Sequence, residues 1–452
     1  MKRMRIFFLG LFVFSVVVAT AQSDFGYDYI PDASYEEVAD RISCIESEVS
    51  LEYNEKVKSF IDYFTVRDRP YTQEVLNKTA LFFPIFEETL AKYNLPDELK
   101  FLSIVESGLR PNAISRANAV GLWQFMSSTG KMYGLNNDWY LDDRMDPYAS
   151  TDAAARHLRD LYSMFDDWEL ALAAYNCGPG NVRKAIRRSG YKKKFWEIYP
   201  YLPRETRSYV PQFVAICYTF NYAPEHNLFP ETHQIFPRFD TIMISQYFHL
   251  ETFAKQLNVC LDDLLNLNPN IKRGAIPEGT KNFALRIPAD LKDTVASNRA
   301  FFYDAAGKVG KEQLEYLARN TPGSTYGREK QVYRVRSGDV LGTIANRYGV
   351  RVTDIKSWNN LNSNMIRVGQ YLQIWVLPTY NSSTKDLYAS SARTENKTVV
   401  LEGKKVHYVQ NGDTLWEIAN TYAGLSIEKI KALNNLTSNT IKPGQQLIIS
   451  SE

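Results

Sequence analysis

Cysteine is scarce: four residues, Cys44, Cys177, Cys217 and Cys260, are scattered along 452 positions. That spacing gives neither a metal-ligand cluster nor the dense disulfide framework of a small secreted domain, and it leaves one disulfide or four thiols equally open. An excess of one charge is also missing. Lys and Arg total 53 against 51 Asp and Glu, and a net charge of +2 argues against a nucleic-acid or general polyanion binder. Long apolar runs are absent beyond the amino terminus, so no later segment is expected to span a bilayer. The one run, 6–19, follows Lys2, Arg3 and Arg5 and precedes the small residues Ala19-Thr20-Ala21. It falls short of the roughly 17–25 apolar residues of a spanning helix. Its layout is that of a secretory signal peptide, assigned to 1–21, and the mature chain is expected to be exported. No cysteine closes the run, so lipid attachment is not expected there, and peripheral outer-membrane association stays open. Tyr (29) and Phe (24) are plentiful, which permits sugar stacking as readily as core packing.

The length argues for several domains. From about 32 to 93 the pattern is helical, with Val57, Phe60, Ile61 and Phe64 at helix spacing. Ser150-Thr151-Asp152 predicts a cap before the apolar face of Ala154, Leu158, Leu161 and Phe165. Another helix is expected over 168–176, ended by Gly178-Pro179-Gly180. A last one passes through Val210, Val214, Cys217 and Phe220, with Pro211 expected to kink or restart it.

The second half repeats itself. Val335-Arg336-Ser337-Gly338-Asp339-Val340-Leu341 returns as Val409-Gln410-Asn411-Gly412-Asp413-Thr414-Leu415, and Trp358-Asn359-Asn360-Leu361 returns as Leu433-Asn434-Asn435-Leu436. Each unit reads strand, Gly-Asp turn, helix, helix, turn, strand. The two units resemble LysM modules, small βααβ domains, and the resemblance implies binding to N-acetylglucosamine-containing glycans. A degenerate third copy is read at 239–290, on Phe253-Ala254, Leu264-Leu265 and Leu267-Asn268-Pro269. It lacks the Gly-Asp turn, so packing against the preceding domain is expected of it rather than glycan binding. The Asn-, Ser-, Thr- and Lys-rich stretches 291–330 and 378–404 read as linkers.

The chemistry concentrates around Glu106. Pro96 suits a helix start, Leu99, Leu102 and Val105 repeat at helical spacing, and Gly108 and Pro111 stop the helix. Glu106 is thereby expected at a carboxyl-terminal turn among apolar neighbours. Both the macrodipole and the apolar surroundings disfavour a carboxylate there and raise its pKa, as suits a proton donor near neutral pH. Downstream follow Ser115, then Gly121-Leu122-Trp123-Gln124-Phe125-Met126, then Ala174-Tyr175-Asn176-Cys177-Gly178-Pro179-Gly180, then Glu205-Thr206-Arg207-Ser208-Tyr209-Val210. This order resembles the catalytic domain of soluble-type lytic murein transglycosylases, which share the goose-type lysozyme fold.

The resemblance implies a multidomain chain, a mostly-α lysozyme-like catalytic domain followed by small α+β LysM modules. The expected bounds are 22–79 for a helical lead-in, 80–225 for the catalytic domain, 239–290 for the degenerate module, and 331–377 and 405–450 for the LysM modules. It implies peptidoglycan glycan strands as partner, no cofactor and no metal. Glu106 would be the catalytic acid, with Ser107, Ser115, Gln124, Met126, Tyr175, Asn176, Glu205 and Tyr209 binding substrate. Ordinary glycosidases need a second carboxylate. Asp142, Asp143 and Asp146 are acids of the right type but read as a capped loop, and a lytic transglycosylase does without one because the muramic acid supplies its own hydroxyl. A lysozyme-type hydrolase and a non-catalytic wall-binding scaffold are the rivals; an intact Glu106, Gln124, Tyr175 and Tyr209 argue against the scaffold. The chain departs from the family at Asn118, where Gly is usual. If that position needs positive φ, Asn is the least costly replacement.

Overall fold

The computed structural model describes residues 29–378 apart from 233, together with parts of 399–451. The expected signal peptide and most of the expected linker 378–404 lie outside the described residues.

The first part is helical, and side-chain caps fix where its helices start. Ser34 Oγ accepts the Glu37 amide at the head of α1 (Tyr35–Ser43), and Asn54 Oδ1 does the same for Lys56 and Val57 in α2 (Glu55–Asp62). The long α3 (Arg69–Lys92) follows, then α4 (Leu102–Ser107), α5 (Ser127–Met132), α6 (Pro147–Phe165), α7 (Trp168–Cys177), α8 (Pro179–Arg188), α9 (Phe195–Ile198) and α10 (Arg204–Asn221). Helix α7 is the hub. Every residue from Trp168 to Ala174 is buried, and the helix packs on α6, α8 and α10. A helix apolar on all sides belongs in a core.

Three local expectations change. Helix α6 starts at Pro147, because Asp146 accepts the amides of Tyr148 and Ala149 at 3.0 and 2.9 Å and Pro fits the first turn. Ser150 and Thr151 then lie inside it, their hydroxyls bonded back to the carbonyls of Asp146 and Pro147. Pro179 opens α8 instead of only closing α7, and α10 continues through Pro211 without restarting.

Next comes a βααβ unit. β1 (Phe239–Ile244) leads through β2 (Phe248–His249), α11 (Leu250–Leu257), α12 (Leu261–Leu267) and β3 (Ala275–Ile276) to β4 (Phe283–Pro288). β1 and β4 pair antiparallel, with Phe239 opposite Pro288 and Ile244 opposite Phe283. The segment 291–330, expected as a linker, is instead folded into α13 (Lys292–Ser297), α14 (Arg299–Ala306) and α15 (Lys311–Asn320). Its polar residues cover only the solvent side, while Val295, Phe302, Ala306 and Ala318 form a buried stripe. Phe302 meets Phe253 edge-on at 5.8 Å.

This unit is fastened to the helical part. The Asp142 amide donates to the Asn270 carbonyl at 2.9 Å, and the Lys272 amide to the Tyr140 carbonyl at 2.8 Å. Arg286 reaches across to Asp146, with Nη1 2.7 Å from Oδ2, and lies 4.6 Å over the Tyr148 ring. Replacing Arg286 by Met leaves a nearly buried carboxylate without its counter-charge. We expect a loss of about 3 kcal/mol in urea unfolding.

Two more units follow. The first runs β5 (Glu329–Arg334), α16 (Leu341–Tyr348), α17 (Val352–Trp358) and β6 (Tyr371–Val376). In the last, β7 (Val399–Leu401), β8 (Lys404–Tyr408) and β9 (Gln446–Ser451) form an antiparallel sheet, with α18 (Ile427–Leu433) before β9. Its Gly-Asp turn lies outside the described residues. One device recurs in all three units. The Asn268 side chain donates to the Leu264 and Arg286 carbonyls and accepts the Arg286 amide. Asn359 does the same with Ile355 and Gln373, and Asn434 with Ile430 and Ile448. The first Asn of each Asn-Asn-Leu segment is therefore a bracket between second helix and last strand. The second Asn, 360 or 435, sits at φ +51° or +52°. Pro269, at the matching place in the degenerate copy, cannot adopt that conformation.

Candidate active site

Helix α4 is only six residues long, and Glu106 is its penultimate one. Leu102, Ser103 and Ile104 are buried beneath it, and Gly108 ends the helix at φ +59°. The carboxyl group is half-buried and its pKa is pushed up to about 7. Loss of hydration is the main cause; the Tyr209 hydroxyl, which donates to Oε1, opposes it, and the charge of Glu205 adds to it. Burial also drives the Tyr209 phenol well above its ordinary range, so it stays a donor.

Around this acid lies a cleft of about 500 Å³. Of the residues expected to serve it, Glu106, Ser115, Gln124, Met126, Tyr175, Asn176, Glu205 and Tyr209 all line it. Ser107 does not. Its hydroxyl turns inward to the carbonyls of Leu122 at 2.9 Å and Ser103 at 3.0 Å. The side chain after Glu106 points about 100° round the helix, into the core, so a contact with Glu106 or substrate is not where the structure puts it.

The wall opposite α4 is the loop 113–126, built from tight turns. Ser115 Oγ accepts the Ala119 amide at 3.0 Å, and Gln124 Nε2 donates to the Gly121 carbonyl at 2.8 Å. Asn118 is at φ +62°, the conformation for which Asn replaces Gly at least cost. Arg144 pins the loop from below. Its guanidinium forms a bidentate pair with Asp142 at 2.9 and 2.8 Å and donates to the carbonyls of Asn118 and Phe125. Asp142 and Asp146 thus serve structure, as the capped-loop reading has it. Trp123 is core, its indole N–H given to Thr151 Oγ1, and its carbonyl accepts the Tyr175 hydroxyl at 2.8 Å. Asn176 Oδ1 accepts the Thr206 hydroxyl at 2.8 Å, which joins α7 to α10 beside the acid.

Thr129, His157, Ser208 and Gln212 also line the cleft and were not singled out from sequence. Ser208 and Gln212 follow Glu205 by three and seven positions, so helical spacing was a usable signal. His157 carried none, because its neighbours Tyr133 and Tyr175 come from distant segments. Among the described residues no group of three or more His, Cys, Asp or Glu is arranged to hold a metal ion, and all four cysteines are free thiols. A larger cavity of about 620 Å³ lies where Leu109–Asn112 face α12, away from Glu106.

Comparison with known proteins gives this geometry its class. Residues 83–198 match the transglycosylase SLT domain, residues 333–375 and 407–450 match the LysM domain, and 238–304 match the LysM-like domain of lytic transglycosylase MltD. The SLT domain, the LysM domains and the MltD-type LysM-like domain together define a lytic murein transglycosylase. Membrane-bound lytic murein transglycosylase D of Escherichia coli K12 is 30% identical over 396 residues, covering 87% of this chain and 78% of that one. The chain belongs to the lytic murein transglycosylase D family. An autolysin of Enterococcus faecalis is 34% identical over 128 residues, 28% of this chain and 16% of that one. The solved 70 kDa soluble lytic transglycosylase of Escherichia coli is 21% identical, over 40% of this chain and 33% of that one, with a TM-score of 0.29.

Proposed function

We propose that this protein, exported to the periplasm, cleaves the β-1,4 bond between N-acetylmuramic acid and N-acetylglucosamine without water, leaving 1,6-anhydromuramic ends. Glu106 gives its proton to the bridging oxygen as the C1–O bond breaks. The muramic acid's 6-hydroxyl then bonds to C1, and its proton returns to Glu106. An internal nucleophile replaces a positioned water and gains the advantage of proximity. The observation that carries this reading is the half-buried Glu106 carboxyl, held near a pKa of 7 and bonded by Tyr209. One group with that pKa serves both as acid and as base around neutrality. Glu205 supplies negative charge that keeps the proton on Glu106 and favours the developing oxocarbenium ion. Met126 gives an adaptable apolar wall, and Tyr175 and Asn176 meet the sugar and its N-acetyl group.

The LysM modules hold the enzyme to the insoluble wall by raising its local concentration there. The test is mass spectrometry of fragments released from purified peptidoglycan. Anhydro ends, lighter than hydrolysed ends by one water, are expected. Reducing-end muramic acid alone would make the protein a lysozyme-type hydrolase, and no release at any pH would make it a scaffold.

A further inference from the structure

His157, on α6, lines the cleft but has no part in the chemistry above. Its ring lies 5.1 Å from that of Tyr175 and 6.2 Å from that of Phe125. Nδ1 is 3.0 Å from the Tyr133 hydroxyl, and that hydroxyl is 2.9 Å from Asp160 Oδ2. A phenol has one proton, and an ionised carboxylate only accepts. Tyr133 therefore donates to Asp160 and offers His157 a lone pair. Nδ1 must carry the imidazole hydrogen, which leaves Nε2 as a bare acceptor. Burial pushes the imidazole pKa down to about 4, so the ring stays neutral around pH 7. Among the described residues no hydrogen bond occupies Nε2.

We propose that His157 is a specificity residue whose tautomer, fixed by Asp160 through Tyr133, presents Nε2 to the amide N–H of an N-acetylated sugar. The inference rests on the reading of this cleft as the glycan site. An amide N–H only donates, so a fixed acceptor recognises it, whereas a hydroxyl adapts to either role and gains little. A carboxylate meets the lone pair with repulsion. Tyr133 and Asp160 are positioning residues, acting through the ring.

The test uses the full chain carrying Glu106→Gln, so that binding is read without turnover, with an N-acetylglucosamine oligomer and a glucose oligomer of equal length as probes. Affinity is read from the NMR signals of the cleft residues Tyr175 and Tyr209, so that sugar held by the LysM modules is not counted. Adding His157→Phe should weaken binding of the N-acetylated oligomer about tenfold, the worth of one hydrogen bond, and barely change the glucose oligomer. His157→Gln, which keeps an acceptor, should restore part of the loss and shows that a folding defect is not the cause. Nitrogen NMR of the ring should show a lone-pair Nε2 that shifts when the N-acetylated oligomer binds. Equal affinities with and without His157→Phe, or a hydrogen on Nε2, overturn the proposal while leaving the cleft reading intact. Failure of Glu106→Gln to bind any oligomer, with the unmodified enzyme active on peptidoglycan, overturns both.

Discussion

Glu106→Gln should reduce release of soluble fragments from purified peptidoglycan by at least about 10³-fold, while the variant still sediments with the wall. Gln keeps the shape of the side chain but neither gives nor takes a proton. General acid–base catalysis by one group contributes about 10²–10⁴-fold, and in the proposed mechanism one group has both roles. The same substitution should change stability in a pH-dependent way. Glu106 titrates near 7 in the folded chain and near its ordinary 4.5 when unfolded. The folded state thus favours the protonated form. That contribution is full below about pH 4.5, declines as pH rises towards 7, and is gone above it. Glu169, buried and also raised to about 7, gives the parent a second slope in the same direction, but it is common to both proteins. Above pH 7 the Gln variant should therefore melt higher than the parent, with the difference shrinking towards pH 4. Thermal midpoints at the two pH values check this. A variant with unchanged activity would remove Glu106 from the mechanism.

Gly121→Ala should be nearly as damaging, for a steric reason. A Cβ at Gly121 would stand 1.8 Å from the carbonyl oxygen of Arg144 and 2.8 Å from its carbon, and φ is +91°. Those are backbone atoms. Arg144 is held by Asp142 and by the carbonyls of Asn118 and Phe125, so it has nowhere to retreat. Overpacking and backbone strain together should cost about 3–5 kcal/mol. Activity should fall with it, because the displaced loop carries Ser115, Gln124 and Met126. Gly180→Ala is the matched control. Nothing lies within 4 Å of that Cβ and the residue is helical, so its urea midpoint should hold or rise. Equal midpoints for the two variants would show that the contact with Arg144 is not limiting.

The acid and its cleft were legible because the relevant signals are local. A helix stopped by Gly108 places Glu106, and Glu205 and Tyr209 share a face of α10. The positive φ at Asn118 meets a condition that the family resemblance raised, through the Gly usual at that place, and not a local signal. What escaped depended on contacts between distant residues. Ser107 stands next to the acid in sequence, but its hydroxyl is claimed by Leu122, 15 positions on. His157 becomes part of the cleft only when α6 is laid beside Tyr175. The helices over 292–320 were hidden by a polar composition, because only four apolar side chains per three helices were needed once β1–β4 and Tyr140 offered a surface. The repeated Asn-Asn-Leu was visible, yet its first Asn is used to tie strand to helix, so its presence marks the module's fold and is silent about sugars.

The half-hidden position of Glu106 ties occupancy to protonation. If the proposed glycan strand fills the cleft, it displaces water from around the half-buried carboxyl, and the same loss of hydration that raises its pKa strengthens its hold on the proton. Near neutrality, docking then draws a proton from solution, and affinity for the glycan rises as the medium acidifies. On the proposed mechanism, the strand readies the acid that cuts it.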